Sequence, residues 1–519
     1  MSEGRKTAEE PASDAARGRA SHVAVDLGAG SGRVVRGRFG VDRLEFEELH
    51  RFAHEPEQRD GALRWSSRDL FAAIVEGLAR ARRGDSPIAS VGVDTWGCDY
   101  ALLDGGGQLL EEPISYRDAR TDGVLERAAQ RVPLAAIYRA TGIQLQPFNT
   151  LFQLFTHVSG PAWPRSAARL LPLPDLFHRL LCGSDSGERT HATTMQMVNA
   201  GSGEWDRELL RAFGIPSTLL PRLVEAGTRL GPLKEEVARA TGLERCEVVA
   251  PATHDTASAV AGAPLAEDVA FVSAGTWCLV GVERRAPLLD DAAFAENFTN
   301  EGGVGGTTRF LKNVAGMWLL EGCRASWRRG GRDLEWDELE EAIERAPAWA
   351  GVIDPDDRAF FRPADMQRAV EEFLRATQQP VPATQGALAR LLLESLALRC
   401  AEVIDAIQRL TGTAIGAVRV IGGGSRIDFL NQALADVTGR PVLAGPVEAT
   451  ALGNLLVQAI AAGRFRDLAE GRAYVAQRVP SRHYQPRSRD AAAPLLARFR
   501  RVIERRAAAA PSASTGSSG

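Results

Sequence analysis

The segment DLGAGSGR at residues 26–33 combines a carboxylate, a run of small residues and an arginine. Small residues let successive backbone N–H groups approach an anion and form an anion-binding nest. Asp26 is a candidate for hydrated Mg²⁺, which prefers carboxylate and water oxygens, and Arg33 is a candidate to neutralise a phosphate. The alternative is a tight hairpin turn with a surface aspartate. A dinucleotide fingerprint is excluded, because Arg33 takes the last position of GxGxxG and the turn leads to a strand.

A second candidate is ATHDTASA at residues 252–259. It follows a predicted strand that ends at Ala250 and precedes a small-residue stretch with a helical pattern. Asp255 is then a carboxylate at the carboxyl end of a strand, where it can act as a general base that accepts a hydroxyl proton. The alternative is structural: Thr253 caps the helix, and Asp255 lies in its first turn, where the helix dipole favours an anion.

Two further segments suit a nucleotide base and a sugar. Consecutive glycines at 422–424 permit a flat backbone surface against which a planar base can lie; the alternative is a conformationally demanding connection. The segment VDTWGCDY at 93–100 offers polar and aromatic groups at a strand end; the alternative is a buried Trp96 in a core turn. His50 and His54 have the spacing of zinc ligands, but no third ligand is apparent, so a solvated pair is predicted.

Strands and helices must position these segments. Two β-rich runs around a Gly/Ser turn predict a hairpin over residues 22–39. A second strand followed by a small-residue turn, FVSAGTW at 271–277, predicts two lobes with a boundary near 262–268. Strands alternate with helical patterns, which indicates α/β layers. The other predicted strands are 88–94, 100–103, 247–250, 270–273 and 418–421, and the predicted helices are 67–83, 386–411 and 428–438.

Composition excludes several classes of function. The 62 Lys and Arg nearly balance 66 Asp and Glu, for a formal net charge of −4, so no nucleic-acid partner is expected. No apolar run reaches the roughly 18–20 residues of a membrane-spanning helix, and residues 1–20 lack the apolar core of a secretory signal. Six cysteines without a CxxC motif predict reduced thiols and a cytoplasmic location. None of the three lysines belongs to a GxxxxGK[ST] phosphate loop.

Taken in order, these segments resemble the FGGY sugar-kinase family, and within it the rhamnulokinases. The resemblance runs from about residue 22 to residue 463. The THDTA form around Asp255 and the DTWG form at 94–97 are similar to rhamnulokinases rather than to xylulose, glycerol or gluconate kinases. The motifs that carry the resemblance are DLGAGSGR (26–33), GVDTWGCDYALLD (92–104), YRDARTDG (116–123), TGIQLQPFNTLFQL (141–154), ATTMQMVNAGSGEWD (192–206), PATHDTASAV (251–260), SAGTWCLVG (273–281), NFTNEGG (297–303), NVAGMWLL (313–320) and the segment from GGGSRIDFLNQALADVTGRPV to GPVEATALGN (422–454).

The resemblance implies an α/β fold of two actin-like, ribonuclease-H-type (ASKHA) lobes with a cleft between them. Residues 21–262 would hold the sugar and the base, residues 263–505 the nucleotide, and the small, polar ends at 1–20 and 506–519 are predicted to be disordered. The implied reaction transfers the γ-phosphoryl group of ATP to O1 of L-rhamnulose, giving L-rhamnulose 1-phosphate, with Mg²⁺ as cofactor. The competing interpretations are a kinase for L-fuculose or another ketose, and a non-catalytic actin-like ATP binder. No membrane partner is expected, and no oligomeric state is predicted.

The same resemblance implies roles for single residues, with Asp255 as the general base at O1. Gly30 stands where the family usually has a serine, which keeps the backbone donors but loses a hydroxyl. Glu321 stands where relatives often carry an amide, and no ATP role is carried to it, because a carboxylate repels a polyphosphate. The implied sugar contacts are Trp96, Gly97, His254, Asp255, Thr256 and Asn313; the implied ATP contacts are Ala29, Gly30, Ser31, Gly32, Arg33, Thr276, Gly423 and Gly424; and Asp26 is the candidate for Mg²⁺.

Overall fold

The computed structural model describes residues 20–83, 86–361, 363–488 and 492–509. Its strands form two large mixed sheets, one from each half of the chain, with three two-stranded pairs beside them. The strands are β1 (Ser21–Gly28), β2 (Ser31–Phe39), β3 (Leu44–Ala53), β4 (Glu57–Arg59), β5 (Ala62–Arg64), β6 (Ile88–Thr95), β7 (Tyr100–Leu103), β8 (Arg169–Pro172), β9 (Ser186–Glu188), β10 (Arg222–Val224), β11 (Arg229–Pro232), β12 (Glu247–Val249), β13 (Val269–Ala274), β14 (Trp277–Arg284), β15 (Thr299–Gly302), β16 (Thr308–Ala315), β17 (Ala417–Ile421), β18 (Val442–Ala444) and β19 (Arg482–Tyr484).

Helices cover the sheets and connect the strands. Most begin at a residue with extended backbone, and several carry an Asp, Ser or Thr cap that satisfies a free N–H of the first turn. The helices are α1 (Ser67–Ala81), α2 (Val124–Ala129), α3 (Leu134–Thr141), α4 (Thr150–Val158), α5 (Leu173–Cys182), α6 (Arg189–Thr194), α7 (Arg207–Ala212), α8 (Glu235–Thr241), α9 (Asp255–Gly262), α10 (Asp291–Ala295), α11 (Trp318–Arg329), α12 (Trp336–Arg345), α13 (Met366–Ala376), α14 (Gln385–Thr411), α15 (Asp428–Thr438), α16 (Ala449–Ala461), α17 (Leu468–Arg478) and α18 (Ala492–Ala509).

The two sheets repeat one arrangement. The first has the order β11-β12-β6-β1-β2-β3, in which β1 runs antiparallel to β2 and parallel to β6. The second has the order β15-β16-β14-β13-β17-β18-β19, in which β13 runs antiparallel to β14 and parallel to β17. Each sheet is therefore built around a hairpin whose first strand also pairs with a later parallel strand. The hairpin predicted over residues 22–39 is confirmed, with a two-residue turn at Ala29 and Gly30.

Helix α16 connects the two halves, because it lies on the first sheet although it belongs to the second half of the chain. Asn454 donates from Nδ2 to Gly92 O at 3.2 Å and to Asp94 Oδ2 at 2.5 Å. Gln458 donates from Nε2 to Val23 O at 2.9 Å. These buried amides attach α16 to two neighbouring strands that carry the predicted phosphate and sugar segments. The exact limits of the two lobes stay a prediction.

The secondary structure confirms most of the predicted strands and helices and corrects the start of the predicted C-terminal tail. All five of the other predicted strands occur within a residue or two of their predicted bounds, and the helix at 428–438 is confirmed. The predicted disordered tail from residue 506 is wrong at its start, because α18 continues to Ala509 and Arg506 donates from Nε to Asp357 Oδ2 at 2.8 Å. Residues 1–19 and 510–519 of the predicted tails lie outside the described residues. In the described ranges, no helix combines the length and hydropathy needed to cross a membrane.

Candidate active site

Asp255 is the first residue of α9, directly after the loop that follows β12. Its Oδ1 accepts hydrogen bonds from Thr256 N at 2.5 Å and from Thr256 Oγ1 at 3.0 Å, and His254 Nε2 lies 3.5 Å away. The side chain keeps 29% of its surface exposed, whereas His254 and Thr256 are buried. The carboxylate is therefore held from behind by its own helix and remains open on one side.

Burial, and after it repulsion from the Asp26 carboxylate, raise the pKa of Asp255 to about 7. A carboxyl with this pKa is matched to accepting a proton near neutral pH. Asp94 adds a third carboxyl to the group, since β1 and β6 bring Asp26 and Asp94 into register. The Asp94 side chain is fully buried, and its pKa is raised well above the usual value by burial and then by Asp26.

The loop before Asp255 is anchored by Glu188, a residue that belongs to no motif recognised in the sequence. Thr253 donates to Glu188 Oε2 from its backbone N at 3.0 Å and from its hydroxyl at 2.8 Å. The same carboxylate caps α6 by accepting from Thr190 N at 2.8 Å. The alternative in which Thr253 caps α9 is wrong, because His254 occupies the cap position and makes no capping bond with its side chain. Asp255 does lie in the first turn, as predicted.

His254 lies between Asp255 and a buried ion pair from the second half of the chain. Its Nδ1 is 3.4 Å from Arg309 Nη2 and 3.7 Å from Glu301 Oε2. A Cβ placed on Gly97 would be 3.1 Å from His254 Nε2, so this glycine lets the turn after β6 approach the ring closely. Burial holds the pKa of His254 well below its usual value, with Arg309 and His191 adding to the effect. His254 is therefore neutral near pH 7.

Asn313 on β16 is held by the loop before α4. Its backbone N and its Nδ2 both donate to Gln144 Oε1, each at 3.0 Å. Gln144 is buried, whereas Asn313 is half-buried. Its sugar role stays a prediction, but the contact shows that a strand of the second sheet meets a loop of the first half.

Trp96 is enclosed, with 4% of its surface exposed. Its Nε1 donates to Asp99 Oδ2 at 2.8 Å, and Trp65 Nε1 donates to the same oxygen at 2.6 Å. His54 stacks on the Trp96 ring at a centroid distance of 5.4 Å. The surroundings of Trp96 are therefore those of a core tryptophan, the alternative considered above, and any contact of Trp96 with sugar stays a prediction.

The prediction that His50 and His54 form a solvated pair is wrong, since both side chains are half-buried.

The glycine turns differ in how much space they leave. A Cβ on Gly30 or on Gly423 would meet nothing within 4 Å, whereas one on Gly424 would lie 2.4 Å from the Ala274 Cβ. Gly424 thus packs against the end of β13 and brings the glycine triplet beside the β13–β14 turn. Thr276 is exposed in that turn. The open faces of Gly30 and Gly423 fit a ligand that approaches the backbone closely.

Of the other predicted ATP contacts, Ser31 is exposed and Ala29 half-buried, but Gly32 faces the interior. A Cβ on Gly32 would lie 2.4 Å from the Phe52 ring, so close packing alone requires this glycine. Glu321 is half exposed on α11, with Arg324 and Arg328 each 3.9 Å from its carboxylate. Nothing in this arrangement gives Glu321 a role toward phosphate.

Arg33 is held by two carboxylates. Its Nη2 lies 2.6 Å from Asp26 Oδ2, and its Nη1 pairs with Glu448, just before α16. Glu448 also lies 3.3 Å from Arg426 Nη2, next to the glycine triplet. The ion pairs therefore link the predicted phosphate turn of the first sheet with the predicted adenosine surface of the second.

The side chains around Asp26 determine whether this part of the chain can bind Mg²⁺. No group of three or more His, Cys, Asp or Glu side chains in the described part of the chain is placed to hold a metal ion. Mg²⁺ usually keeps several waters and takes one or two carboxylates plus substrate phosphates. Asp26 offers the hard carboxylate oxygen that such a hydrated ion takes. The residues therefore fit Mg²⁺ held together with a nucleotide.

Comparisons with known proteins identify the family of the chain. The N-terminal domain model of the FGGY family of carbohydrate kinases matches residues 25–262, and its C-terminal domain model matches residues 270–462. The chain belongs to the FGGY family of carbohydrate kinases and is an ATP-dependent sugar kinase.

The relatives reported within this family are rhamnulokinases. A rhamnulokinase of Bacteroides thetaiotaomicron is 43% identical over 466 residues, 89% of this chain and 95% of that protein. A rhamnulokinase of Bacillus subtilis is 38% identical over 470 residues, 90% of this chain and 96% of that protein. Identity at this level extends along both halves of the chain.

Solved structures show the fold. The xylulose kinase of Lactobacillus acidophilus superposes with a TM-score of 0.76 at 17% identity, covering 95% of this chain and 99% of that one. The glycerol kinase of Plasmodium falciparum superposes with a TM-score of 0.74 at 14% identity, covering 94% and 98%. The two sheets are thus the two lobes of an actin-like sugar kinase, as predicted.

Proposed function

We propose that this protein is a rhamnulokinase, which transfers the γ-phosphoryl group of ATP to O1 of L-rhamnulose with Asp255 as general base. The observation that carries the proposal is the position of Asp255: a partly exposed carboxylate with a pKa of about 7, at the start of α9 and beside His254. The similarity to rhamnulokinases over about 90% of the chain supports the choice of sugar.

The base acts on the hydroxyl at C1 of the sugar. Ionised Asp255 accepts the O1 proton while O1 attacks the γ-phosphorus, and the bond to the β,γ-bridging oxygen breaks. His254 and Thr256 flank the carboxylate and contact the sugar, and Gly97, which has no side chain, lets the sugar approach its backbone. Asn313, held by Gln144, is a further sugar contact from the second lobe.

The nucleotide binds across the glycine turns. The backbone from Ala29 to Ser31 and the turn at Thr276 bind the phosphates, and the open surface at Gly423 takes the adenosine. Arg33 neutralises phosphate charge, and Asp26 would hold Mg²⁺. When bound, this ion supplies charge neutralisation on the phosphates.

Positioning and exclusion of water account for most of the expected rate, since phosphoryl transfer asks for little covalent chemistry from the protein. Closure of the lobes over the sugar prevents water from accepting the phosphoryl group. The cytoplasmic location predicted from the cysteines stays a prediction.

A coupled assay of ATP consumption over a panel of ketoses and polyols tests this proposal. We expect the highest kcat/KM with L-rhamnulose, and Asp255→Asn should lose at least ~10²-fold in rate while sugar binding remains detectable by calorimetry. The control variant is Asp42→Asn, an exposed carboxylate, which should keep the wild-type rate.

Other outcomes of the same assay count against the proposal. A higher kcat/KM with L-fuculose or another ketose would change the sugar but keep the kinase. Nucleotide binding without sugar-stimulated turnover would favour a non-catalytic ATP binder. If Asp255→Asn keeps more than about a tenth of the wild-type rate, Asp255 is not the base.

A further inference from the structure

Arg309 and Glu301 form a buried ion pair behind the predicted base. Arg309 Nη1 lies 3.0 Å from Glu301 Oε2, with side-chain exposures of 0% and 6%. Arg309 Nε also donates to Gly302 O at 2.9 Å. Desolvating two charges costs free energy that their attraction only partly returns. A pair of this kind is therefore weak evidence for a contribution to stability. Its contact with His254 points to another role.

The contact between Arg309 and His254 restricts the imidazole. A guanidinium carries donors and no acceptor, so Arg309 Nη2, 3.4 Å from His254 Nδ1, requires a lone pair on Nδ1. The proton of the neutral ring is then on Nε2. His254 Nε2 lies 3.5 Å from Asp255 Oδ1 and is packed next to Gly97.

Without its pairing to Arg309, Glu301 would favour a proton on His254 Nδ1. Its Oε2 is 3.7 Å from His254 Nδ1 and could accept a proton from that nitrogen. With Asp255 facing Nε2, the ring would then lie between two carboxylates, which favours the doubly protonated imidazolium. Arg309 compensates the charge of Glu301, since its Nη1 lies 3.0 Å from the same Oε2. The other titratable ring against His254 is His191, at a centroid distance of 5.9 Å and perpendicular to it.

We propose that Arg309 is a positioning residue for phosphoryl transfer: it keeps His254 neutral and protonated on Nε2. In this state His254 donates to Asp255 or to a sugar oxygen, and it neither competes for the substrate proton nor weakens the base as a neighbouring cation. The low pKa of His254, to which Arg309 contributes after burial, agrees with this. The kinetic part rests on the proposed role of Asp255, whereas the protonation state of His254 does not.

NMR of the full-length protein labelled with ¹⁵N-histidine tests the protonation state directly. The eight histidines allow His254 to be assigned by its loss in His254→Gln. We expect the wild-type ring to show the neutral Nε2–H tautomer from pH 6 to 9. In Arg309→Met, both nitrogens should shift to imidazolium values near pH 7, and Arg309→Lys should restore the neutral ring. Glu301→Gln keeps the cation and should leave the ring neutral.

Kinetics of the same variants test the consequence. We expect Arg309→Met to lower kcat with L-rhamnulose about 10–100-fold and to move the acid limb of the rate profile to lower pH, with KM for ATP within about twofold of wild type. A wild-type His254 with its proton on Nδ1 overturns the proposal even if Arg309→Met fails to fold. An Arg309→Met ring that stays neutral and Nε2-protonated overturns it as well. Absence of kinase activity in the wild type would count against the proposed function. The NMR result would then decide whether Arg309 sets the protonation state of His254.

Discussion

Arg33 in the first lobe is paired with Glu448 in the second, and the same guanidinium lies 2.6 Å from Asp26. Glu448 is in turn 3.3 Å from Arg426. One carboxylate thus connects the two arginines nearest to the predicted phosphate turn and adenosine surface. A triphosphate that binds at this turn competes with Glu448 for Arg33.

Glu448→Gln should therefore tighten nucleotide binding. The ion pair is partly exposed, with side-chain exposures of 16% and 31%, and pairs of this kind contribute about 0–1 kcal/mol. We expect KM for ATP to fall by up to about fivefold with kcat little changed, measured at saturating sugar. Glu45→Gln, which removes a partly exposed pair with Arg38, is the control and should leave KM for ATP unchanged. A rise in KM would mean that Glu448 orients Arg33 for phosphate instead of competing for it.

The rate should depend on pH through Asp255. Because burial and Asp26 raise its pKa to about 7, the base is half protonated near that pH in the free enzyme. As the pH falls below about 7, kcat/KM should fall about tenfold per pH unit, and above it the rate should level off. His254 cannot supply this limb, since its pKa is lowered. A profile that is flat from pH 5.5 to 8 would exclude an Asp255 base with this pKa.

Glu188 provides the control for that profile, because burial also raises its pKa to about 7. Glu188→Gln removes its titration while Asp255 remains. If the acid limb persists in this variant, it belongs to Asp255. If the limb disappears and the rate at low pH recovers, the titrating group is Glu188.

The same variant should lower stability. The Glu188 carboxylate is fully buried and accepts from Thr253 N, Thr253 Oγ1 and Thr190 N, among other donors. Glutamine offers one acceptor oxygen and places an N–H₂ among donors, so at least one buried donor loses its partner at a cost of ~1–3 kcal/mol. Thermal unfolding should show a lower Tm for Glu188→Gln. Glu204→Gln, an exposed position, should match the wild type.

Local signals explain how much the sequence could predict. The hairpin turn at Ala29 and Gly30, the glycine triplet and the polar residues at strand ends are short patterns that each specify a conformation. A carboxylate after a strand made Asp255 a candidate base, but its assignment depended on the resemblance to sugar kinases and stays a prediction. The predicted strands and turns, in contrast, depend on residues that are neighbours in sequence.

Contacts between distant buried polar groups could not be predicted in this way. Glu188 reaches Thr253, and Arg309 reaches His254, across separations that no periodicity encodes. The alternative of a Thr253 cap was wrong, because the chain places His254 at the cap position and Thr253 one residue before it, where its hydroxyl donates to Glu188. The tail predicted from Arg506 failed similarly, because its partner Asp357 lies far away in sequence.

The crossing of α9 and α16 gives a last prediction, on both stability and rate. A Cβ on Gly453 would lie 1.7 Å from Ser258 O and 2.7 Å from Gly262 N. Both neighbours are backbone atoms of the helix that begins with Asp255, so they cannot move aside as a side chain can. Gly453→Ala must push α16 away from α9, and overpacking of this kind costs ~1–3 kcal/mol or more.

Because α9 positions the base, a shift of the helix should also cost activity; a displacement of about 1 Å can lower a rate ~10²-fold. We expect Gly453→Ala to show a lower Tm by calorimetry and a reduced kcat at unchanged nucleotide binding. Gly105→Ala is the matched control, since a Cβ there meets nothing within 4 Å. A Gly453→Ala protein with the Tm and kcat of the control would show that the helices do not need this close contact, and that α9 is held by the sheet alone.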